Sequence, residues 1–449
     1  MPYIPHDSAE TAAMLEAIGV ARLEDLFDEI PQALQSDVSA LPEGCGEARL
    51  RREMEERAAE QAPLRCFAGA GAYAHHIPAI VWEIARRGEF YSAYTPYQAE
   101  ASQGTLQLLY EFQSFMTRLT GMEISNASLY DGASALAEAC LMALRLRPAA
   151  REILIPEGLL PHWRRVLDAL LPMQGIRLRS LPQDPQSGRL LLPGEDFPEA
   201  AALILPQINR FGVLEEVDAL AHWAESHNLL RIAVVNPLAL ALLKAPGDWG
   251  EQGADIVVGE GQPLGVPLAA GGPYFGFLTC RRDYVRQLPG RLVAKTVDAA
   301  GQVAYCLTLQ AREQHIRRAG ATSNICTNQG LLVTAATIHL ATLGANGLRA
   351  AAARAHQQAQ RLRALLARLP GVELPHAGPV FNEFVLRLPR PAPSVRDGLL
   401  AHGFLAGVPL IELNPADDPH DLLVACTELS EDEDLDGYAS ALAGVLGEA

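Results

Sequence analysis

Lysine is nearly absent from this chain. Of 36 basic residues only Lys244 and Lys295 are lysines, so chemistry that needs an amine nucleophile has two candidate positions. Positive charge as a whole is short: 53 acidic residues leave a net charge of −17. Such a field repels phosphates and excludes bulk binding to nucleic acid or an anionic membrane. Cysteine is scattered: the seven, at 45, 66, 140, 280, 306, 326 and 426, show no CxxC spacing. That pattern offers neither a disulfide framework nor a metal cluster and reads as reduced, packed thiols. Long hydrophobic runs are missing too, since stretches such as Leu238–Leu243 are far too short to span a bilayer. The N-terminus has no basic start followed by an apolar segment. The expectation is a soluble, cytoplasmic protein.

What is present is apolar and well patterned. Hydrophobic residues make up 49% and charged residues 20% of 449 positions, enough for two or three structural units around a large core. Residues 1–62 read as helical, with Asp7-Ser8 as a cap, Met14, Leu15 and Ile18 on one face, and Leu23, Leu26, Phe27 and Ile30 repeating the pattern. From residue 150 the chain alternates. Strands are expected at 153–156, 176–181, 202–206, 231–236, 255–258 and 274–280, with helices near 161–171 and 214–228 between them. Short apolar strands interleaved with amphipathic helices predict an α/β fold with a mostly parallel sheet covered on both faces. After a helix at 329–343, the order α (350–369), β (380–388), α (394–402), β (408–413), β (421–427), α (431–446) predicts a smaller α/β domain. The expected division is a helical arm at 1–65, a large α/β domain at 66–343 and a small C-terminal domain at 344–449.

Ligands in such sheets bind off the carboxyl ends of the strands. Asn236, His162, Asn209 and the loop 259–273, which opens Gly259-Glu-Gly-Gln-Pro-Leu-Gly265, fall at or near that edge. Asp131 stands at the head of the helix after Asn126-Ala-Ser-Leu-Tyr-Asp-Gly132, where its carboxylate would take the free N–H groups and repel a phosphate. The loop from Glu89 to Gly104 carries Tyr91, Tyr94 and Tyr97 with Gln98, side chains suited to a ligand site or an interface. Downstream, Arg312, His315, Arg317 and Arg318 lie within seven residues, and Thr322-Ser323-Asn324 follows on a turn. Guanidinium groups so placed can receive an acidic group bidentately. Gly69-Ala-Gly-Ala-Tyr-Ala74 fits a dinucleotide pattern but follows no buried strand, and His75-His76 reads as structural for want of a third ligand. No metal site is expected.

Several of these runs resemble the glycine cleavage system P-protein family. They are Phe90-Tyr-Ser-Ala-Tyr-Thr-Pro-Tyr-Gln98, Ser102-Gln-Gly-Thr105, Asn126–Gly132, Gly259–Gly265, Arg312-Glu-Gln-His-Ile-Arg-Arg318 and Ala321-Thr-Ser-Asn-Ile-Cys-Thr-Asn328. The resemblance is to subunit 1 (alpha) of the two-subunit form and covers nearly the whole chain. It implies the fold of type I pyridoxal-phosphate enzymes. It also implies glycine decarboxylation, with the cofactor carried by subunit 2 (beta) and the aminomethyl group passed to a lipoylated H-protein.

A type I cofactor site needs a lysine, an acid for the pyridine nitrogen and a helix N-terminus for the phosphate. Here the corresponding positions are Gly259 and Gln262 in the loop, Asn236 at the strand end, and Asp131 at the helix head. No cofactor is therefore expected to be bound covalently by this chain, and no catalytic residue on it alone. The residues expected to line the partner's site are Tyr94, Tyr97, Gln98, Thr322, Ser323 and Asn324, with Arg312 and Arg317 in support. The competing readings are a self-sufficient decarboxylase or transaminase using Lys244, a structural or regulatory relic of the fold, and a nucleotide-binding oxidoreductase using Gly69–Ala74.

Overall fold

The computed structural model describes residues 6–35, 41–42, 44–61 and 63–447. Its contacts divide into two units, residues 1–62 and 63–449. In the first, Asp7 caps the helix Ser8–Ile18 through a reciprocal capping box with Glu10, and Gly19 ends it in a left-handed conformation at φ 88°. The stretch read as a second α-helix is instead a 3-10 helix, Leu23–Phe27. Among the described residues of this unit no helix buries a side chain, so packing supplies nothing to hold a longer helix there. The readings at 1–5, 36–40, 43 and 62 lie outside the described residues.

The second unit is built on a seven-stranded sheet. Its order is Ile124–Ser125, Gly276–Cys280, Ile256–Glu260, Leu230–Val235, Ala200–Pro206, Glu152–Pro156, Arg177–Leu181. The last five run parallel, and Gly276–Cys280 is antiparallel to both its neighbours. Strand residues alternate between two cores. Leu203, Leu205, Ala233, Val235, Val257 and Phe277 pack on Leu109, Phe112 and Met116 of the helix Gln103–Thr120. Ile204, Ile232, Val234, Ile256, Val258 and Leu278 pack on Leu136 and Cys140 of the helix Gly132–Leu146 and on Trp163 and Leu167 of Pro161–Leu170. Burial on both faces explains why these strands read as unbroken apolar runs.

A third core joins an antiparallel sheet, Glu383–Arg387, Asp421–Ala425 and Val408–Pro409, to the C-terminal helices, with Phe384, Val424, Tyr438 and Leu442 at its centre. One expectation here needs correction. The strand at 408–413 stops at Pro409, which has no N–H to extend the ladder, and Leu410–Leu413 is helical. The two helices expected at 329–343 and 350–369 are present as the continuous span Gly330–Leu366, with the break between them at Gly344, whose backbone is non-helical (φ 58°, ψ −174°). Taken together, that span is long and apolar enough to cross a membrane, and half of its most apolar stretch is buried in the body. An unanticipated hairpin, Leu292–Val297 with Val303–Thr308, carries Lys295.

Candidate functional site

The carboxyl edge of the parallel strands meets the N-terminus of the helix Gly132–Leu146. Asp131 is its N-cap, and its Oδ1 accepts from Ser134 N at 2.7 Å. A second carboxylate closes the same end: Gly132 N donates to Glu260 Oε2 at 2.9 Å. Only glycine fits at 132, because a Cβ there would lie 2.5 Å from the Trp163 ring and 2.9 Å from Glu260 N. Burial, with the nearby Asp131 charge adding to it, raises the Glu260 carboxyl to about 8, against the pull of the backbone N–H groups. The helix terminus that a phosphate would use is occupied by two acids.

The remaining edge positions are equally committed. Asn236 Oδ1 accepts from Leu238 N at 2.9 Å in a local turn. Buried Gln262 bonds Tyr73 through both ends, accepting from its N–H at 2.9 Å and donating to its carbonyl at 2.8 Å, and donates to Val266 O at 2.9 Å. At Gly259 a Cβ would stand 2.4 Å from Val235 O and 2.5 Å from Phe277. The void that survives, lined by Tyr73, Trp163, Asn236, Glu260 and Glu383 among others, is about 60 Å³. Small-molecule sites run to roughly 300–1,000 Å³. Burial holds Glu383 up at about 7, although Ala70 N (2.6 Å) and the Tyr73 hydroxyl (3.1 Å) donate to it. His162, near Asp131, is lowered by burial first and by Arg165 second.

Neither lysine reaches this edge. Lys244 Nζ pairs with Asp218 at 2.8 Å on the surface, and Lys295 is exposed on the hairpin strand Leu292–Val297. The residues present do not fit pyridoxal phosphate, because the cavity is small, acidic and without an amine. Ala70 N in the Gly69–Ala74 stretch is likewise taken by Glu383, and the strand before it, Arg65–Cys66, has two residues and pairs with Phe404–Leu405. A nucleotide loop needs a βαβ unit there. His75 and His76 lie in a loop. His75 Nδ1 and His76 N meet Glu428 at 2.8 and 2.6 Å.

Of the other expected residues, Tyr97, Thr322, Ser323 and Arg312 gather around a side chain that the sequence reading missed. Arg291, 5% exposed, donates to the Tyr97 hydroxyl at 3.1 Å, sits 5.3 Å from that ring and lies 3.4 Å from Asn328 Oδ1. Glu313 lies 4.0 Å away, and the His315 ring meets Tyr97 edge-on at 5.5 Å. Thr322 and Ser323 border a small cavity with Arg291, Arg312 and Glu313. Tyr94, 79% exposed, borders another with Asn328 and Thr334, while Gln98 and Asn324 are exposed. Arg317 is exposed with no ion pair among the described residues. Arg312 departs from expectation. Its guanidinium donates to the carbonyls of Leu309, Leu288 and Gly290, so it pins the segment to the body and is not free to grip an acid.

The architecture is that of the type I pyridoxal-phosphate fold. Lactobacillus brevis glutamate decarboxylase superimposes with a TM-score of 0.65 over 93% of this chain and 98% of its own, at 12% identity, a likeness of fold alone. The family follows from closer matches. The family model for the glycine cleavage system P-protein matches residues 1–442. A probable glycine dehydrogenase (decarboxylating) subunit 1 from Nitrosospira multiformis is 54% identical over 450 residues, covering 99% of both chains. The crystal structure of an inhibitor-bound glycine decarboxylase (P-protein) of the glycine cleavage system gives a TM-score of 0.91 at 44% identity, covering 99% of this chain and 100% of that one. The chain belongs to the glycine cleavage system P-protein family. Fold and family together imply that the system uses pyridoxal phosphate, and the relatives' name implies a second subunit.

Proposed function

We propose that this chain is the subunit of glycine decarboxylase that carries no cofactor, and that it completes the active site of a second, pyridoxal-phosphate-bearing subunit. The assembled pair decarboxylates glycine and transfers the aminomethyl group to a lipoylated H-protein. The observation that carries this reading is the acid-filled edge. Asp131 and Glu260 hold the helix terminus, Gln262 is locked to Tyr73, and both lysines lie elsewhere. A cofactor site that has lost its amine, its cavity and its phosphate terminus together supports loss of cofactor binding in a retained scaffold.

In this reading Tyr94, Tyr97, Gln98, Thr322, Ser323 and Asn324 face the partner's site, with Arg317 at its border. Arg312 and Arg291 act as positioning residues, the first by tying down the segment and the second by fixing Tyr97. The exposure of Tyr94 and of the segment 315–320 supports an interface role, since both present side chains that this chain leaves uncovered. The three units expected from the sequence, 1–65, 66–343 and 344–449, remain part of the proposal. The test is reconstitution. Glycine-dependent CO2 exchange should require both subunits and fall for Tyr94→Phe or Ser323→Ala; unchanged rates in both variants would remove the lining role.

A further inference from the structure

A groove of about 480 Å³ runs beside the helix Gly132–Leu146, with Arg145, Arg151 and the segment 321–324 among its walls. Arg145 donates to Gln287 Oε1 at 3.2 Å and to Gln287 O at 2.9 Å. Arg151 donates to the carbonyls of Pro148 and Ala150 at 2.7 and 2.6 Å. All these acceptors are neutral. Among the described residues neither guanidinium has an ion pair, whereas Arg164, Arg210 and Arg231 each hold a carboxylate.

The one acid on the groove compensates little. Glu138 is 8% exposed, and burial raises its carboxyl above the usual range, although the Ser323 hydroxyl and the Arg145 charge pull the other way. Arg312 adds a like charge: burial disfavours the Arg145 cation, Glu138 supports it and Arg312 opposes it. Uncompensated cations in a concave, partly buried site attract an anion more strongly than the same charges on an open surface.

The remaining walls describe the body of such a ligand. Gln174, Thr322 and Asn324 supply neutral hydrogen-bonding side chains, and Leu141 and Leu144 an apolar strip. The volume falls within the roughly 300–1,000 Å³ of small-molecule sites and leaves room beyond an anionic head.

We propose that this groove binds a small organic anion, with its carboxylate or phosphate head on Arg145 and Arg151 and its body along Gln174 and the 322–324 segment. The site depends on this chain alone. Thr322 and Ser323 border both this groove and the cavity with Arg291 and Arg312, so an occupant would steady the segment that carries them.

The test is titration calorimetry on the full chain at neutral pH and constant ionic strength, with inorganic phosphate and succinate as probes against a chloride blank. At least one probe should bind saturably at one site per chain, and the tighter of the two identifies the head group. Arg151→Gln removes an exposed guanidinium and should raise Kd about tenfold or more, as loss of a charge-assisted hydrogen bond would. Arg145→Gln should do the same. Arg368→Gln, which removes an exposed guanidinium elsewhere, should leave Kd unchanged. Absence of saturable binding by both probes would overturn the proposal, as would a Kd unmoved by Arg151→Gln and Arg145→Gln. A Kd raised equally by Arg368→Gln would reduce the effect to net charge and overturn it too. No probe binding, with Arg151→Gln loosening association with the second subunit instead, would give the groove to an acidic side chain of that partner.

Discussion

Glu260→Gln isolates the acid that occupies the helix terminus. The Glu260 carboxyl stands at about 8 in the folded chain against an ordinary 4.5, because burial and the Asp131 charge disfavour its ionised form. A carboxyl raised on folding keeps its proton longer in the folded chain than in the unfolded one. The stability it contributes is therefore full below pH 4.5 and is lost as pH rises through about 8. At about 1.36 kcal/mol per pH unit, that window caps the loss at about 5 kcal/mol, and relaxation of the site brings it to about 2–3 kcal/mol. Glutamine keeps the acceptor for Gly132 N and cannot ionise. Urea unfolding of both chains at pH 6 and pH 9 reads the difference. The variant should exceed the wild type by about 2–3 kcal/mol more at pH 9 than at pH 6. Glu383, also raised by burial, titrates in the same window in both chains and cancels in the comparison. Parallel pH dependence of the two chains would refute the buried-acid account of this edge.

Gly259→Ala should destabilise by about 1–3 kcal/mol in denaturant titration, since its Cβ meets a carbonyl and a ring at 2.4 and 2.5 Å. Asp255→Ala should cost about 3–5 kcal/mol in the same assay. It would strip the partner from Arg231, which is buried and donates to Asp255 through both its backbone N–H and Nε. Tyr94→Phe should leave Tm within about 1 °C, because the ring is exposed, yet lower glycine-dependent exchange in the reconstituted pair. Lys244→Met should lose only a surface ion pair, worth about 0–1 kcal/mol, with activity unchanged.

The parallel sheet was legible because its strands are buried on both faces and its helices keep a clean period, as Leu136 and Cys140 or Trp163 and Leu167 show. Asp131 was legible for a local reason: a cap and its N–H partner are three residues apart. Glu260 was not, because it meets Gly132 across 128 positions and only the sheet register brings them together. Arg291 escaped for the same reason, since it reaches Tyr97 from 194 positions away. Arg312 was misread as an acid receptor because a sequence shows donors but not the carbonyls they meet. The run at 408–413 misled because Leu410 and Ile411 carry strand-like apolarity past a proline that ends the ladder.

The central claim is that the amine chemistry of the system lies outside this chain. Borohydride reduction of the reconstituted complex with pyridoxal phosphate, followed by peptide mapping of both subunits, tests it directly. The account predicts a single label on a lysine of the second subunit and none on this chain. A label on Lys244 or Lys295 would contradict it.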